Sequence, residues 1–450
     1  MKTVFLFIYS ALVFSYAGTI FIKAEGLEYT TGLLVILAVL TSFHKAQRLF
    51  KVTAAIFVLI AVITAAAEGI PVRDFPYYMT STAILILIFY VLPFINSVII
   101  VGRYDQKVNR LLKMNVDDMS QLYRKVSTVS FLLGSFLNIA TIPLIIQVLQ
   151  RNLKNQTTAL RNKFISSAML RGYALCLVWS PMEILVALSV DITGVGYGRL
   201  LPLLLLFSLL LLLITFLAGR SFQGYPVETE KTQLDPSVIY KKIASLLFFL
   251  FLFIFVVIFT RQSLELSFLE TVGLVIIPYS FFWAFSIRRI RSFLVYGIRT
   301  WKARTSALQN YVVLFLSVGF FISILEQSVL IEYLQYPFLL LENLPVLLFV
   351  VIQLLFLGLA MVGFHPLVTI SLVGGMIQPL LDSVSPFSVA IVLITSGLST
   401  VIAGPFNISV SLTGMLIHQN PYRVSMWNIG FAFLFSSIGT LFALVILFFS

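Results

Sequence analysis

Residues 200–217 read LLPLLLLFSLLLLLITFL and hold no charge. A helix rises about 1.5 Å per residue, so a run of this length can cross a hydrocarbon layer about 30 Å thick. A membrane β-barrel would instead show shorter segments of alternating polarity. The run therefore predicts a membrane-spanning α-helix.

Similar apolar runs recur along the whole chain of 450 residues. Hydrophobic residues make up 60% of the sequence and charged residues 11%, against about 25% charged residues in soluble proteins. This composition excludes a water-soluble globule and predicts an all-α polytopic membrane protein with about 11 transmembrane helices. The predicted spans are 4–22, 29–43, 52–68, 81–101, 165–190, 199–219, 243–260, 268–287, 307–325, 387–417 and 427–449.

The net charge of +12 would fit a nucleic-acid partner, but the basic residues lie in short loops between the predicted spans. Positive charge in such loops fixes the orientation of membrane helices. We therefore predict a lipid bilayer and no nucleic acid as the surroundings of an integral plasma (inner) membrane protein. The single cysteine, Cys176, excludes an intramolecular disulfide. The first apolar run continues to Ile22, which favours a retained first span over a cleaved signal peptide ending near Ala17.

The loop charges also predict orientation and two hairpins. Five loops carry 3, 6, 4, 4 and 6 Lys or Arg and are predicted to be cytoplasmic, together with the N-terminus; they are 44–51, 102–127, 151–163, 220–242 and 287–305. The segment 128–149 has such a loop on both sides, so we predict a re-entrant hairpin that returns to the face it entered. One ordinary span that departs from the charge rule is the alternative. The segment 344–381 is predicted to form a second hairpin on the external side.

Two parts of the chain resemble each other. Residues 179–188 (WSPMEILVAL) and 403–412 (AGPFNISVSL) are 224 positions apart, and 141–144 (TIPL) and 364–367 (FHPL) are 223 apart. The order of spans, hairpin and broken span agrees as well, although chance similarity among apolar segments is the alternative. The predicted organisation is an N-terminal transmembrane helix (1–28), a first repeat (29–220, with hairpin 128–149 and broken helix 165–190), a cytoplasmic linker (221–242) and a second, inverted repeat (243–450, with hairpin 344–381 and broken helix 387–417).

Inverted repeats allow a fold to alternate between inward-facing and outward-facing states, with a solute held near the membrane midplane. The sequence therefore predicts a secondary transporter. It contains no Walker A sequence, no H-E-x-x-H and no nucleophile elbow, so we predict no enzymatic activity.

The arrangement of one span followed by two inverted five-span repeats resembles the ion transporter superfamily, and most closely the divalent anion/sodium symporters. That resemblance implies an elevator-type carrier, often a homodimer, that moves a small organic or inorganic anion with Na⁺ or H⁺. We predict no cofactor other than such a coupling ion. The Ser-Asn-Thr motifs of those symporters are absent. Asn138 and Thr141 stand at the first hairpin tip, and Ser399, Thr400 and Asn407 surround the second helix break.

Arg171 is the leading candidate for contact with an anionic substrate, because a guanidinium within an apolar segment needs a partner, a watery cavity or an anionic ligand. The alternative is that its side chain extends to the cytoplasmic surface near Lys163. Glu183 and His365 are candidates for proton or cation coupling. Glu183 could instead cap a helix or pair with Arg171, and His365 could simply bond to the backbone.

The remaining candidates are polar residues and helix breakers around the hairpin tips and interrupted helices. Further substrate-binding candidates are Asn138, Thr141, Ser180, Ser399, Thr400 and Asn407, with Ser396 and Ser409 as weaker ones; for each, helix packing is the alternative. The predicted helix breaks lie at Pro143, Pro181, Pro366, Gly404 and Pro405, because proline removes a backbone donor and clashes with the preceding turn. The freed helix N-termini could face an anion.

Other functions would also fit this sequence. An intramembrane enzyme or a flippase of a lipid-linked substrate would use Arg171, Glu183 and His365 on a lipid. A Na⁺/H⁺ antiporter of the same fold or a scaffold without transport activity would also fit the span pattern. The basic segments 102–127 and 287–305 are predicted to be interfacial or connecting helices that touch anionic lipid.

Overall fold

The structure, a computed structural model, describes residues 2–104, 116, 118–227 and 236–449. Within these ranges the regular structure is helical, apart from one isolated bridge between Asp118 and Pro226. The α-helices, in chain order, are α1 (Lys2–Phe21), α2 (Glu25–Phe43), α3 (Arg48–Ala67), α4 (Phe75–Tyr78), α5 (Ala83–Val101), α6 (Met119–Leu137), α7 (Thr141–Asn152), α8 (Thr158–Leu177), α9 (Ile184–Thr193), α10 (Tyr197–Ala218), α11 (Pro236–Leu264), α12 (Phe268–Ser286), α13 (Ile290–Thr305), α14 (Gln309–Glu326), α15 (Leu330–Leu339), α16 (Pro345–Val362), α17 (Pro366–Ile377), α18 (Pro386–Ala403), α19 (Ile408–Leu416) and α20 (Pro421–Phe449).

In the described part of the chain, 11 helical segments are long and apolar enough to cross a membrane, which confirms the predicted all-α polytopic fold. The number agrees with the sequence prediction, but one member of the set differs. Pro345–Val362 is long and apolar enough to cross a membrane, although the sequence predicts it to be one arm of a hairpin. Thr158–Leu177 is long enough but too charged, because α8 carries Arg161, Lys163 and Arg171.

The chain forms two compact units, each assembled from separate parts of the sequence. Unit 1 consists of Met1–Gly102, Phe259–Leu339 and Gly375–Ile377. Unit 2 consists of Arg103–Ile258, Leu340–Gly374 and Gln378–Ser450. These units follow spatial contacts, whereas the predicted repeats 29–220 and 243–450 follow the sequence, so the repeat boundaries stay a prediction.

Unit 1 is held together by close helix packing and aromatic stacking. A Cβ atom at Gly32 of α2 would overlap the carbonyl group of Pro76, so glycine is needed for the close approach of α2 and α4. The Phe89 ring of α5 stacks on Tyr311 of α14, with centroids 4.7 Å apart. The Thr82 hydroxyl donates to the Phe315 carbonyl oxygen at 2.8 Å. These contacts fix α5 against α14.

Unit 2 contains two helix pairs, apart from the last three residues of α17, and two interrupted helices. Helices α6 and α7 are joined by a short 3₁₀ turn at Asn138–Ala140, and α16 and α17 are joined at residues 363–365. The chain leaves helical conformation between α8 and α9 around Pro181, and between α18 and α19 at Gly404 and Pro405. The interruptions therefore lie where proline and glycine predicted them. The first helix pair begins at Met119, earlier than the predicted residue 128.

Gly172 permits the close contact between α8 and α6, so its replacement tests the packing of unit 2. A Cβ atom there would overlap the Ser127 carbonyl oxygen and lie 2.8 Å from the Ser127 Cα. Because both obstacles are backbone atoms, we expect Gly172→Ala to destabilise the protein by about 1–3 kcal/mol. Thermal unfolding in detergent measures this effect as a lower Tm.

Gly358→Ala is the matched control for Gly172→Ala, since Gly358 also lies in a helix of unit 2 but has no atom within 4 Å of the added Cβ position. The control should keep or slightly raise Tm, because alanine favours helix over glycine. Equal Tm values for the two variants would show that α6 and α8 are not packed as described.

Candidate functional site

The turn that joins α6 and α7, which we call the first tip, contacts the first interrupted helix. Asn138 ends α6 with φ at 46°, a region that side-chain-bearing residues seldom adopt. Its Oδ1 accepts a hydrogen bond from the Tyr173 hydroxyl of α8 at 2.6 Å. The Ser180 hydroxyl, in the interruption between α8 and α9, donates to the Ser135 carbonyl oxygen at 3.3 Å. The structure therefore brings the predicted residues Asn138 and Ser180 into one part of unit 2.

Two substitutions of Asn138 test whether a stable fold requires a positive φ at this position. Asn138→Gly keeps the positive φ accessible, so we expect the variant to fold but to lose the bond from Tyr173. Asn138→Val places a β-branched residue at positive φ, which costs about 1–3 kcal/mol. We therefore expect Asn138→Val to have the lower Tm of the two. A valine variant as stable as the glycine variant would contradict the conformation of the tip.

The connection between α16 and α17, which we call the second tip, contacts the second interrupted helix in a comparable way. Gly363 ends α16 with φ at 112°, and its Cβ position lies 3.8 Å from the Phe406 ring. The Cβ position of Gly404 lies 3.3 Å from the Cβ of Ala360. His365 caps α17, because its Nδ1 accepts from the Leu367 N–H at 3.3 Å. His365 therefore forms the bond to the backbone that the sequence analysis gave as the alternative to a role in cation coupling.

Glu183 and Asn407 occupy equivalent positions after the two interruptions. Glu183 caps α9, and its Oε1 accepts from the Leu185 N–H at 3.4 Å. Asn407 caps α19, and its Oδ1 accepts from the Ser409 N–H at 3.1 Å. The two residues are 224 positions apart, and each bonds to the N–H two residues ahead. The same local geometry thus occurs at both members of the predicted repeat.

The capping bond uses only one oxygen of Glu183. Within the described ranges, Oε2 of the half-buried Glu183 has no hydrogen bond, and the carboxylate forms no ion pair with Arg171. The pairing of Glu183 with Arg171, one of the alternatives from the sequence, is therefore not observed. The carboxylate keeps one oxygen that can accept a proton or a cation.

Elements from the two sequence halves cross within unit 2. The Leu185 side chain of α9 lies 3.4 Å from the Cβ position of Gly397 in α18. At the end of α19, the carbonyl oxygens of Leu416 and Ile417 accept from Gln150 at 2.9 Å and from Asn162 at 3.1 Å. The element that follows the first interruption packs on the one that precedes the second. We call this region, with the two tips and two interruptions, the crossing.

The hydroxyl groups at the crossing differ in whether they already form a hydrogen bond. The Ser399 and Thr400 hydroxyls donate to carbonyl oxygens of their own helix, each at 2.6 Å. The Ser409 hydroxyl donates across the interruption to the Val401 carbonyl oxygen at 2.6 Å. The buried hydroxyls of Thr141 and Ser396 have no hydrogen-bond partner among the described residues. Thr141 and Ser396 therefore have unused hydrogen-bonding capacity.

Pro143 differs from the other predicted helix breakers. It lies in the first turn of α7, where its missing N–H costs no helical hydrogen bond. The chain leaves helical conformation earlier, at Asn138, and α7 starts at Thr141. Pro366 is the first residue of α17, after the left-handed Gly363. Pro366 thus begins the helix after the second tip, and Pro143 lies in the first turn of the helix after the first tip.

Arg171 lies apart from the crossing contacts, on α8. Its guanidinium carbon is 4.6 Å from the centroid of the Phe431 ring of α20, and the Tyr123 hydroxyl is an electrostatic neighbour. Nε of Arg171 has no hydrogen-bond partner within the described ranges. Arg171 lies six residues before Leu177, the last residue of α8, which places it about 9 Å along the helix axis from the end of that helix.

The charge of Arg171 is not neutralised by a carboxylate. The one ion pair in the described part of the chain joins Arg73 and Asp74. A cation–π contact supplies less stabilisation than an ion pair in an apolar region, so the Arg171 guanidinium keeps a strong attraction for an anion. This environment fits the predicted contact with an anionic solute.

Several residues that contact the predicted site residues, or lie close to them, were not predicted from the sequence. Tyr173 bonds to the first tip, while Tyr123 and Phe431 border Arg171. Asn428, one turn before Phe431, is buried and its Oδ1 has no hydrogen-bond partner among the described residues. These residues stand in ordinary apolar or mixed segments, so only their spatial contacts reveal them. No group of three or more His, Cys, Asp or Glu side chains suited to a metal ion is found in the described ranges.

Comparison with known proteins shows the fold. No family model matches the sequence, and no curated protein is similar to it. A solved structure that is similar is the crystal structure of the Alcanivorax borkumensis YdaH transporter, which is described as having an unusual topology. The TM-score is 0.59 at 13% sequence identity, over 88% of this chain and 98% of that one. The similarity shows that this chain shares a polytopic helical membrane fold with that transporter, whereas membership of the ion transporter superfamily stays a prediction.

Proposed function

We propose that the protein is a secondary active transporter that moves a small anionic solute across the membrane, coupled to Na⁺ or H⁺. The observation that carries the proposal is the crossing in unit 2, where two hairpin tips contact two interrupted helices. Interrupted helices offer unpaired backbone groups and helix ends near the middle of a membrane protein, where transporters bind solutes and ions. The fold shared with a transporter agrees with this proposal.

The charge pattern supports an anion as the solute. Helices α9 and α19 begin at the interruptions, so the positive ends of their dipoles lie in the crossing. Arg171 adds a full positive charge without a carboxylate partner among the described residues. We propose that the solute binds at the crossing through Asn138, Thr141, Ser180 and Asn407, with Ser399 and Thr400 beside them, and that Arg171 attracts its negative charge.

The organisation of unit 2 supports an elevator-type mechanism. Both hairpin tips, both interruptions and Arg171 belong to this one compact body. In an elevator the body that moves carries the complete binding site, so the solute travels with it. The helix pairs α6–α7 and α16–α17 would be the two re-entrant hairpins that open and close access to the site. A homodimer in the plasma (inner) membrane, with a cytoplasmic N-terminus, completes the proposal.

The chemistry of the groups at the crossing suits either a proton or Na⁺ as the coupling ion. Glu183 has one carboxylate oxygen without a hydrogen bond in the described structure, which favours a proton. Na⁺ would instead use backbone carbonyls and hydroxyls at the interruptions. His365 uses Nδ1 to cap α17, so its coupling role is the weaker proposal.

Uptake by the purified protein in liposomes tests the function. Radiolabelled mono- and dicarboxylates, sulfate and phosphate would be offered under imposed Na⁺ or H⁺ gradients. The proposal expects at least one anion to accumulate only when a gradient is present. Exchange of Na⁺ for H⁺ without anion uptake would replace the proposal with an antiporter. Turnover or flipping of a lipid-linked substrate without anion uptake would favour the enzyme or flippase alternative.

A further inference from the structure

Unit 1 carries a cluster of exposed arginines just beyond the end of a span. Helix α12 spans Phe268–Ser286, and α13 begins at Ile290 after a sharp turn. Arg288 adopts a positive φ of 55° at this turn, and Arg288, Arg289 and Arg291 are all exposed. Together with Phe285, they line a depression with a volume of about 620 Å³. We name Arg288, Arg289 and Arg291 the arginine turn.

The arginine turn has no carboxylate to neutralise it. No Asp or Glu occurs between Ser286 and Thr305. None of the three guanidinium groups forms an ion pair within the described ranges. The start of α13 adds backbone N–H groups and the positive end of a helix dipole at the same place. The turn therefore presents concentrated positive charge suited to a phosphate group.

The surface next to the turn is apolar. On one face of α13, Phe293 and Gly297 are buried, and the Cβ position of Gly297 lies 3.7 Å from the Ser97 Cβ of α5. On the other face, Leu294, Val295 and Ile298 are exposed, with 75% of Val295 accessible. These three residues line a second depression with Arg299 and Lys302 at its end. An exposed apolar strip bordered by cations is the pattern of a helix that lies at a membrane surface.

From these observations we propose that the arginine turn and the exposed face of α13 bind an anionic phospholipid. The headgroup phosphate contacts the arginine turn, and the acyl chains lie on Leu294, Val295 and Ile298. The occupant is a lipid and not a protein because the patch begins two residues after a membrane span, at the level of the lipid headgroups. Charge complementarity selects an anionic headgroup over a zwitterionic one.

The test uses the full-length protein in a neutral detergent, with Tm measured after addition of phosphatidylglycerol or phosphatidylcholine. Phosphatidylglycerol should raise Tm, because a ligand that binds only the folded state stabilises it. The triple variant Arg288→Gln/Arg289→Gln/Arg291→Gln should lose most of that rise. Lys45→Gln/Arg48→Gln/Lys51→Gln, which removes three positive charges elsewhere in unit 1, should keep it.

Several results would overturn the lipid site. Equal rises with phosphatidylcholine would show that headgroup charge is not recognised. An equal loss in both triple variants would show a general charge effect and no site at the turn. The same rise with inorganic phosphate alone would assign the turn to a free anion. If the arginine-turn variant does not fold, the single variants Arg289→Gln and Arg291→Gln should each reduce the rise, and an unchanged rise in both would contradict the site.

Discussion

Replacing Arg171 with glutamine is expected to reduce kcat/KM for anion uptake by about 100-fold. A hydrogen bond to a charged group contributes about 1.5–3 kcal/mol, and each 1.4 kcal/mol is about tenfold in binding. Glutamine keeps a polar side chain of intermediate length but removes the positive charge. Since Arg171 has no ion pair to lose in the described structure, the loss would come from the solute. Initial rates of labelled uptake in liposomes measure the change.

Two further variants separate charge from folding. Arg171→Lys keeps the charge, so it should recover part of the uptake that Arg171→Gln loses. Lys163→Gln removes an exposed charge from the same helix, and it should leave uptake close to that of the unmodified protein. Size-exclusion profiles show whether each variant is folded. Full uptake by a folded Arg171→Gln variant would remove Arg171 from the solute path.

Replacing Glu183 with glutamine is expected to abolish proton-driven accumulation while leaving the helix cap in place. The amide oxygen of glutamine can still accept from the Leu185 N–H, but the side chain cannot take up a proton. For one proton moved with one negative charge, an inward proton gradient supports about tenfold accumulation per pH unit. Accumulation in the variant should fall to the equilibrium level and no longer depend on the pH difference.

A capping glutamate of unit 1 supplies the control for Glu183. Glu270→Gln removes a carboxylate that accepts from the Ser267 N–H at the start of α12, and it keeps an amide oxygen that can accept the same bond. This variant should retain accumulation that increases as the outside becomes more acidic. Glu183→Asp should retain it in part, because it keeps a carboxylate. Undiminished proton-driven accumulation by Glu183→Gln would show that Glu183 only caps α9.

The positions of the interruptions were predictable because they depend on local chemistry. Pro181 and the Gly404-Pro405 pair stop a helix wherever the surrounding segment lies. The sequence similarity between the segments around Pro181 and Pro405 also predicted matching structures, and both segments contain a side-chain cap two residues after the proline. Such features follow from a few neighbouring residues.

The start of the first helix pair was not predictable in the same way. Residues 119–127 mix polar and apolar side chains and belong to the segment 102–127, which was predicted to be a cytoplasmic loop with an interfacial or connecting helix. Residues 105–115 and 117 of that segment lie outside the described residues. In the structure Met119, Leu122, Tyr123 and Val126 are fully buried in unit 2. A helix packed against protein can carry polar residues that a helix in contact with lipid cannot, so hydropathy alone places its start too late.

The surroundings of Arg171 depend on contacts between distant parts of the chain. Phe431 lies 260 positions after Arg171, and no short-range pattern joins them. The division into units 1 and 2 depends on such contacts as well, because each unit combines segments from both halves. The sequence identified the charged residue as unusual, whereas its partners required the structure.

Counterflow in liposomes tests the central claim, carrier-type transport of an anionic solute, most directly. Liposomes containing the protein would be loaded with an unlabelled anion that the uptake panel identifies, and diluted into labelled anion without any ion gradient. A carrier exchanges internal for external solute, so we expect a transient accumulation of label above equilibrium, which the Arg171→Gln variant should lack. Label that only approaches equilibrium would indicate a channel, and an absence of entry for every anion tested would contradict anion transport.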